Sequence, residues 1–158
     1  RRTPEKLLGQ GQIQAYLQHS DPIPPAPRQF KYQGSDPSLA MQVIAAVVPG
    51  SAEDFLRDEL VARLGIRNYR WQTDISGLPK SAAGSSFCSR DMLKMGRLVL
   101  DEGEWQGRPL IPAEYVKRAT SPIKLSYGKS YYGYFWWVED FEVDGRTYHG
   151  LQGRGAGG

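Results

Sequence analysis

Apolar residues recur at helical spacing in several stretches of the chain. Leu7, Leu8, Ile13, Ala15, Tyr16 and Leu17 stand among glutamines and predict a short helix near residues 12–18. Ala40, Val43, Ile44 and Val47 form the expected buried stripe of a second helix, which Ser35 or Asp36 would cap, with Pro37 in its first turn and Pro49-Gly50 at its end. Ser51-Ala52-Glu53-Asp54 resembles a capping box opening a third helix, in which Phe55, Leu56, Leu60 and Leu64 would face inward and Gly65 would close the end. Met92, Met95, Gly96 and Val99 give a fourth, begun by Ser89 and Asp91 and stopped by Gly103. Trp105-Gln106-Gly107 reads as a turn with an aromatic plug, and Pro112 fits the first position of a helix to about Arg118.

Elsewhere the period changes. Asn68 to Thr73 alternates aromatic and polar side chains and predicts a short strand, while residues 75–86 read as loop. The aromatic run Tyr131 to Val138 predicts one strand, and Asp144-Gly145 predicts a hairpin turn into Arg146-Thr147-Tyr148-His149. A single hairpin is not stable alone in water, so this sheet is expected to need strands beyond those legible here. Asp21 to Pro27 carries four prolines and reads as a stiff surface connector, with an SH3-type ligand as the other use of such a stretch.

Composition narrows the function. The 158 residues suffice for one ordinary domain or a piece of something larger. The net charge of +3 arises from 20 basic and 17 acidic residues that are interspersed, with no Lys/Arg block to track a phosphate backbone, which argues against nucleic acid as a partner. One cysteine and two histidines offer no zinc-site spacing, and Cys88 reads as a small buried side chain. The longest apolar run, Val43 to Val48, is far short of the ~20 residues a membrane helix needs, and no apolar signal segment follows Arg1-Arg2-Thr3-Pro4. The compartment stays open.

The stretch Ser81 to Pro122 says more than its periodicity. A Gly-rich loop, a Ser-Arg-Asp helix start, a helix ending Gly96-Arg97-Leu98 and then DEGEWQGRPLIPAEYV together resemble the serine β-lactamase-like hydrolases. That group includes class C β-lactamases, penicillin-binding carboxypeptidases, esterases and 6-aminohexanoate-oligomer hydrolases, with the esterase and oligomer-hydrolase branch the nearer resemblance. The resemblance implies an α+β fold of the β-lactamase/transpeptidase type, present here as the later part of its helical domain and the first strands of its C-terminal antiparallel sheet. It divides the chain into an N-terminal segment, 1–29, with the proline-rich connector, and a partial domain, 30–158, helical to about 122 and sheet-forming from about 130.

The family's chemistry sets the site expectations. Its nucleophile is a serine at the start of a helix with a lysine three residues later, and a loop tyrosine approaches that serine. Serine is a poor nucleophile until a base takes its proton, and tyrosine, with an ordinary pKa of about 10, serves only where cations favour its phenolate. Tyr32 carries over to that role, since Tyr32-Gln33-Gly34-Ser35-Asp36 lies just before a capped helix; Gly34 stands where a Tyr-x-Asn enzyme has asparagine, which argues against β-lactam turnover. The ending LQGRGAGG resembles the family's edge-strand approach, and the resemblance implies an oxyanion region at Gly153 or Gly155, although no Lys-Thr or His-Thr pair precedes either, and His149 lies early for that role. Ser121-Pro122-Ile123-Lys124 and Ser126-Tyr127-Gly128-Lys129 match Ser-x-x-Lys but carry Pro or Gly inside the motif, so neither is expected to be the nucleophile. The nucleophile region is therefore expected upstream of this chain.

The resemblance thus implies a serine hydrolase acting on a small-molecule ester or amide through an acyl-enzyme, with no metal or organic cofactor. The rivals are a penicillin-recognising carboxypeptidase or β-lactamase, and a non-catalytic binding domain with Trp136, Trp137 and the tyrosines forming a cleft.

Overall fold

The computed structural model describes residues 10–22 and 25–155. Leu7 and Leu8 of the first apolar pattern, residues 23 and 24 of the proline-rich connector and the last three residues of the glycine-rich end lie outside them. The chain forms two compact units: residues up to Ala26 with Gln33–Leu93, and Pro27–Tyr32 with Lys94 onward.

The first unit begins with α1 (Gln10–His19) and α2 (Ser35–Val47). The expected side-chain cap on α2 is absent: Gly34 is the N-cap residue and is itself helical at φ −68°, ψ −14°, while Ser35 Oγ donates to Tyr16 Oη on α1 at 3.2 Å. The stripe also differs. Met41 and Gln42 are the buried residues, whereas Val43 and Val47 are 58% and 74% exposed. α2 is apolar nearly all round, so spacing alone does not select which face is covered. Gln42 is tolerated inside because its Nε2 donates to Ser76 Oγ at 3.3 Å.

α3 (Ala52–Leu56) opens as expected, with the Asp54 N–H donating to Ser51 Oγ at 3.0 Å. It runs on into a π-helical turn, Arg57–Val61, closed by the Ala62 N–H on the Arg57 carbonyl at 2.8 Å. The wider turn rotates the residues beyond it, so the buried positions are Ala52, Val61 and Leu64 while Phe55 stays 36% exposed and Leu60 half-buried. Gly65, at φ +64°, ends the helix: its N–H donates to Ala62 O, and the Ile66 N–H donates to Val61 O, the paired bonds of a Schellman stop.

β1 (Tyr69–Trp71) comes next and pairs antiparallel with β2 (Ser85–Phe87), Tyr69 opposite Phe87. The span read as loop from 75 to 86 therefore ends in a strand. Between them Asp74 Oδ1 accepts from the Ser76 and Leu78 N–H groups at 2.7 and 3.0 Å, fixing a local turn that holds Thr73 opposite Pro79. α4 (Ser89–Leu100) starts one residue earlier than expected, with Cys88 O accepting from Asp91 and Met92; the Cys88 side chain is exposed rather than buried, and so is Met92.

In the second unit, Leu98 of α4 is buried and the helix ends in another Schellman stop, with Glu102 at φ +52° and Gly103 at φ +90°. The first left-handed residue is thus Glu102. Gly103 is needed for a second reason: a Cβ there would lie 2.2 Å from Ile111 O. β3 (Glu104–Trp105) and β4 (Arg108–Pro109) form a hairpin through Gln106 and Gly107, both at positive φ as a type I′ turn requires. Pro112 precedes α5 (Ala113–Ala119), whose Val116 and Ala119 are buried.

The sheet has four antiparallel strands in sequential order: β5 (Lys124–Leu125), β6 (Tyr131–Tyr132), β7 (Trp137–Val143) and β8 (Arg146–Gln152). The aromatic run is therefore a hairpin, with Tyr132 opposite Trp137. Its turn is set from outside: a Cβ on Gly133 would lie 2.1 Å from Ala119 O, to which the Tyr134 N–H donates at 2.8 Å. The β7–β8 turn at Asp144-Gly145 is the expected one, and β8 extends beyond His149 to Gln152.

Candidate functional site

Strand alternation sorts the side chains of β7 and β8 onto two faces. Trp137, Glu139 and Phe141 share one face with Gln152, Gly150 and Tyr148; Val138, Asp140 and Glu142 share the other with Leu151, His149 and Thr147. On the second face His149 Nδ1 lies 2.6 Å from Asp140 Oδ1, and Thr147 Oγ1 donates to Glu142 at 2.6 Å. His149 is thereby on the face opposite Trp137.

Trp137 is the hub of the first face and is only 8% exposed. Phe30, Tyr32, Tyr127 and Tyr132 surround it, with ring centroids 6.0, 5.8, 6.1 and 4.9 Å away. Tyr32 also meets Tyr132 edge-on at 6.0 Å, and it keeps 49% of its surface open. Offset and edge-on pairs of this kind add to the apolar burial that already favours the cluster. Tyr32 is thus held by its ring and left accessible. Trp136 sits in the turn before β7 and makes no ring contact with this cluster among the described residues.

The glycine-rich segment reaches the same indole. Arg154, between Gly153 and Gly155, places its guanidinium carbon 4.7 Å from the Trp137 ring centroid. Its Nε donates to Gln152 Oε1 at 2.7 Å and its Nη2 donates to Glu139 Oε2. Glu139 accepts further from Ser130 Oγ at 2.9 Å, and these two donors hold its carboxyl below the usual glutamate range. Ser130 is buried, so this hydrogen bond also satisfies a hydroxyl that would otherwise be stranded. A Cβ at Gly153 or Gly155 would meet nothing within 4 Å, which leaves room beside that stretch of backbone.

Tyr32 and the 153–155 segment, singled out on separate grounds in the sequence, therefore converge on one side chain, Trp137. Tyr127, inside the second Ser-x-x-Lys match, also packs on Trp137, but the serine hydroxyls of both matches are engaged elsewhere. Ser121 Oγ donates to Arg118 O at 2.8 Å, and Ser126 Oγ donates to Ser130 O at 2.7 Å, so both hydroxyls are taken up by backbone carbonyls rather than by their lysines. Sequence reasoning misses Arg154 and Glu139; an arginine set between glycines just past a strand is the signal that could have found the first. Among the described residues no group of three or more His, Cys, Asp or Glu could hold a metal, and no single helix is long and apolar enough to cross a membrane.

Solved structures share this arrangement of elements. The chain superposes on a penicillin binding protein from Bacillus halodurans with a TM-score of 0.64 over 85% of its length, at 16% identity. A class C β-lactamase mutant superposes as well, with TM-score 0.63, 89% coverage and 18% identity. The chain carries part of the β-lactamase/transpeptidase-like fold. A putative 6-aminohexanoate-dimer hydrolase from Bacillus anthracis matches this fold too, with TM-score 0.62 over 80% of the chain at 24% identity. The chain spans 48%, 45% and 34% of the penicillin binding protein, the β-lactamase and the dimer hydrolase, respectively. No protein-family model and no curated protein matches it.

Proposed function

We propose that the chain is a segment of a serine hydrolase that cleaves an ester or amide bond of a small molecule through an acyl-enzyme. In this reading Tyr32 takes the proton of a serine supplied by residues outside these 158, and backbone N–H groups near Gly153 and Gly155 hold the oxyanion. The helical part, about 30–122, and the sheet part, about 130–158, then belong to one catalytic domain. The observation that carries the reading is the shared indole: Trp137 contacts both the half-open Tyr32 and the cation of the glycine-rich segment. The names of the fold neighbours supply the reaction class.

The test is the intact mass of the naturally expressed protein before and after a fluorophosphonate. The expected result is a mass above the 17.7 kDa of this chain and one adduct on a serine outside it. A mass equal to this chain with no adduct overturns the reading. The isolated 158 residues are expected to show no saturable ester hydrolysis.

A second reading, β-lactam recognition, draws on the penicillin binding protein and the β-lactamase among the neighbours. Gly34, two residues after Tyr32, speaks against it, since the asparagine of a Tyr-x-Asn motif is missing. A covalent adduct with a fluorescent penicillin decides between the two.

A further inference from the structure

The guanidinium of Arg154 is committed on three sides. One face lies on the Trp137 indole, Nε is taken by Gln152, and Nη2 is taken by Glu139, which the Ser130 hydroxyl holds in turn. A cation whose charge a carboxylate already balances attracts a substrate anion less strongly than an unpaired one would. What it can do is hold backbone. Gly153 and Gly155 flank it, neither has side-chain packing to restrain it, and glycine samples more conformations than any other residue. The planar fork and the stackable face are properties of arginine that lysine lacks, and this site uses both.

We infer that Arg154 is a positioning residue: through Trp137 and Glu139 it fixes the Gly153–Gly155 backbone relative to Tyr32. This rests on the acyl-transfer reading for its catalytic consequence, though not for its structural one. The chain of contacts runs from Ser130 on the loop before β6, through Glu139 on β7, to Arg154 beyond β8, so three successive pieces of the sheet unite on one guanidinium. An oxyanion donor acts only when it is aimed at the place where charge develops, and a displacement of about 1 Å costs about a hundredfold in rate. The brace therefore governs turnover more than substrate capture.

The experiment uses the naturally expressed protein and its Arg154→Ala, Arg154→Lys, Glu139→Gln, Arg154→Ala/Glu139→Gln and Tyr32→Phe variants, with p-nitrophenyl acetate and butyrate as probes. Amide hydrogen exchange is followed over 150–155 alongside. Arg154→Ala is expected to lower kcat by about 10- to 100-fold with KM within about twofold. Arg154→Lys should recover little, and the double variant should be no worse than Arg154→Ala alone, since both act on one contact. Exchange at 150–155 should accelerate in Arg154→Ala while 61–66 is unchanged. A rise in KM at constant kcat overturns the inference in favour of a substrate-binding role for Arg154, and unchanged exchange at 150–155 overturns it whatever the kinetics. Tyr32→Phe separates the two readings: wild-type turnover in that variant removes Tyr32 as the base, and leaves the exchange result to judge Arg154.

Discussion

The two units share aliphatic burial and differ in what the second adds to it. In the first, the most enclosed side chains are aliphatic: Val61, Leu64 and Ile66 are 1%, 1% and 3% exposed and lie on either side of the Gly65 helix stop. The second buries Leu98, Val116 and Ala119 as well, and adds one indole with four rings around it and, on its ring, a guanidinium paired with a carboxylate. Aliphatic packing is non-directional and indifferent to pH, whereas a ring-and-charge network fixes orientation and answers to protons and salt. Tyr32 belongs to the unit with the ring-and-charge network, and the proton-acceptor role proposed for it would require side chains fixed in direction in this way.

The largest expected loss, in the second unit, comes from a glycine. Gly103→Ala combines overpacking against Ile111 O with a left-handed backbone at φ +90°, and should cost about 4 kcal/mol, read by urea unfolding followed by tryptophan fluorescence. Leu64→Ala, next in size and in the first unit, removes a fully enclosed side chain and should cost about 3 kcal/mol with no dependence on pH, read by far-ultraviolet circular dichroism. Ser51→Ala removes the α3 cap and should cost about 1 kcal/mol by the same measurement.

The smallest effect separates the units by its pH dependence. Because the folded Glu139 carboxyl is held low, its contribution is complete above the ordinary glutamate value of about 4.3 and is lost as pH falls through the lower folded value. The melting temperature of wild type should therefore exceed that of Glu139→Gln at pH 7 and converge on it as pH falls below the folded value. A gap that stays constant with pH would show that the carboxylate charge does not act in this unit.

Where a feature depends on a few neighbouring residues, it is legible in the sequence. Ser51 with Asp54, Gly65, Gln106-Gly107 and Asp144-Gly145 each state their own geometry. The aromatic run reads as one strand instead of two because its turn depends on Ala119 O, fourteen residues upstream of Gly133. The buried face of α2 is not legible because its apolar residues are too many to mark a side. Tyr32 stands out through its setting before a helix; its neighbour Trp137 and the brace at Arg154 do not, since both depend on strand register more than 100 residues further along.

The π-helical turn at Arg57–Val61 bears on how this stretch can vary in length. Ala52, Leu56, Val61 and Leu64 share a face only because the step from Leu56 to Val61 is five residues rather than four. Deleting one residue between them, such as Asp58, would turn this stretch into uninterrupted α-helix while keeping the same apolar side chains in line. This helix therefore has a built-in tolerance for losing a codon at one place, and one codon lost between Ala62 and Leu64 would instead throw Leu64 out of line with that face.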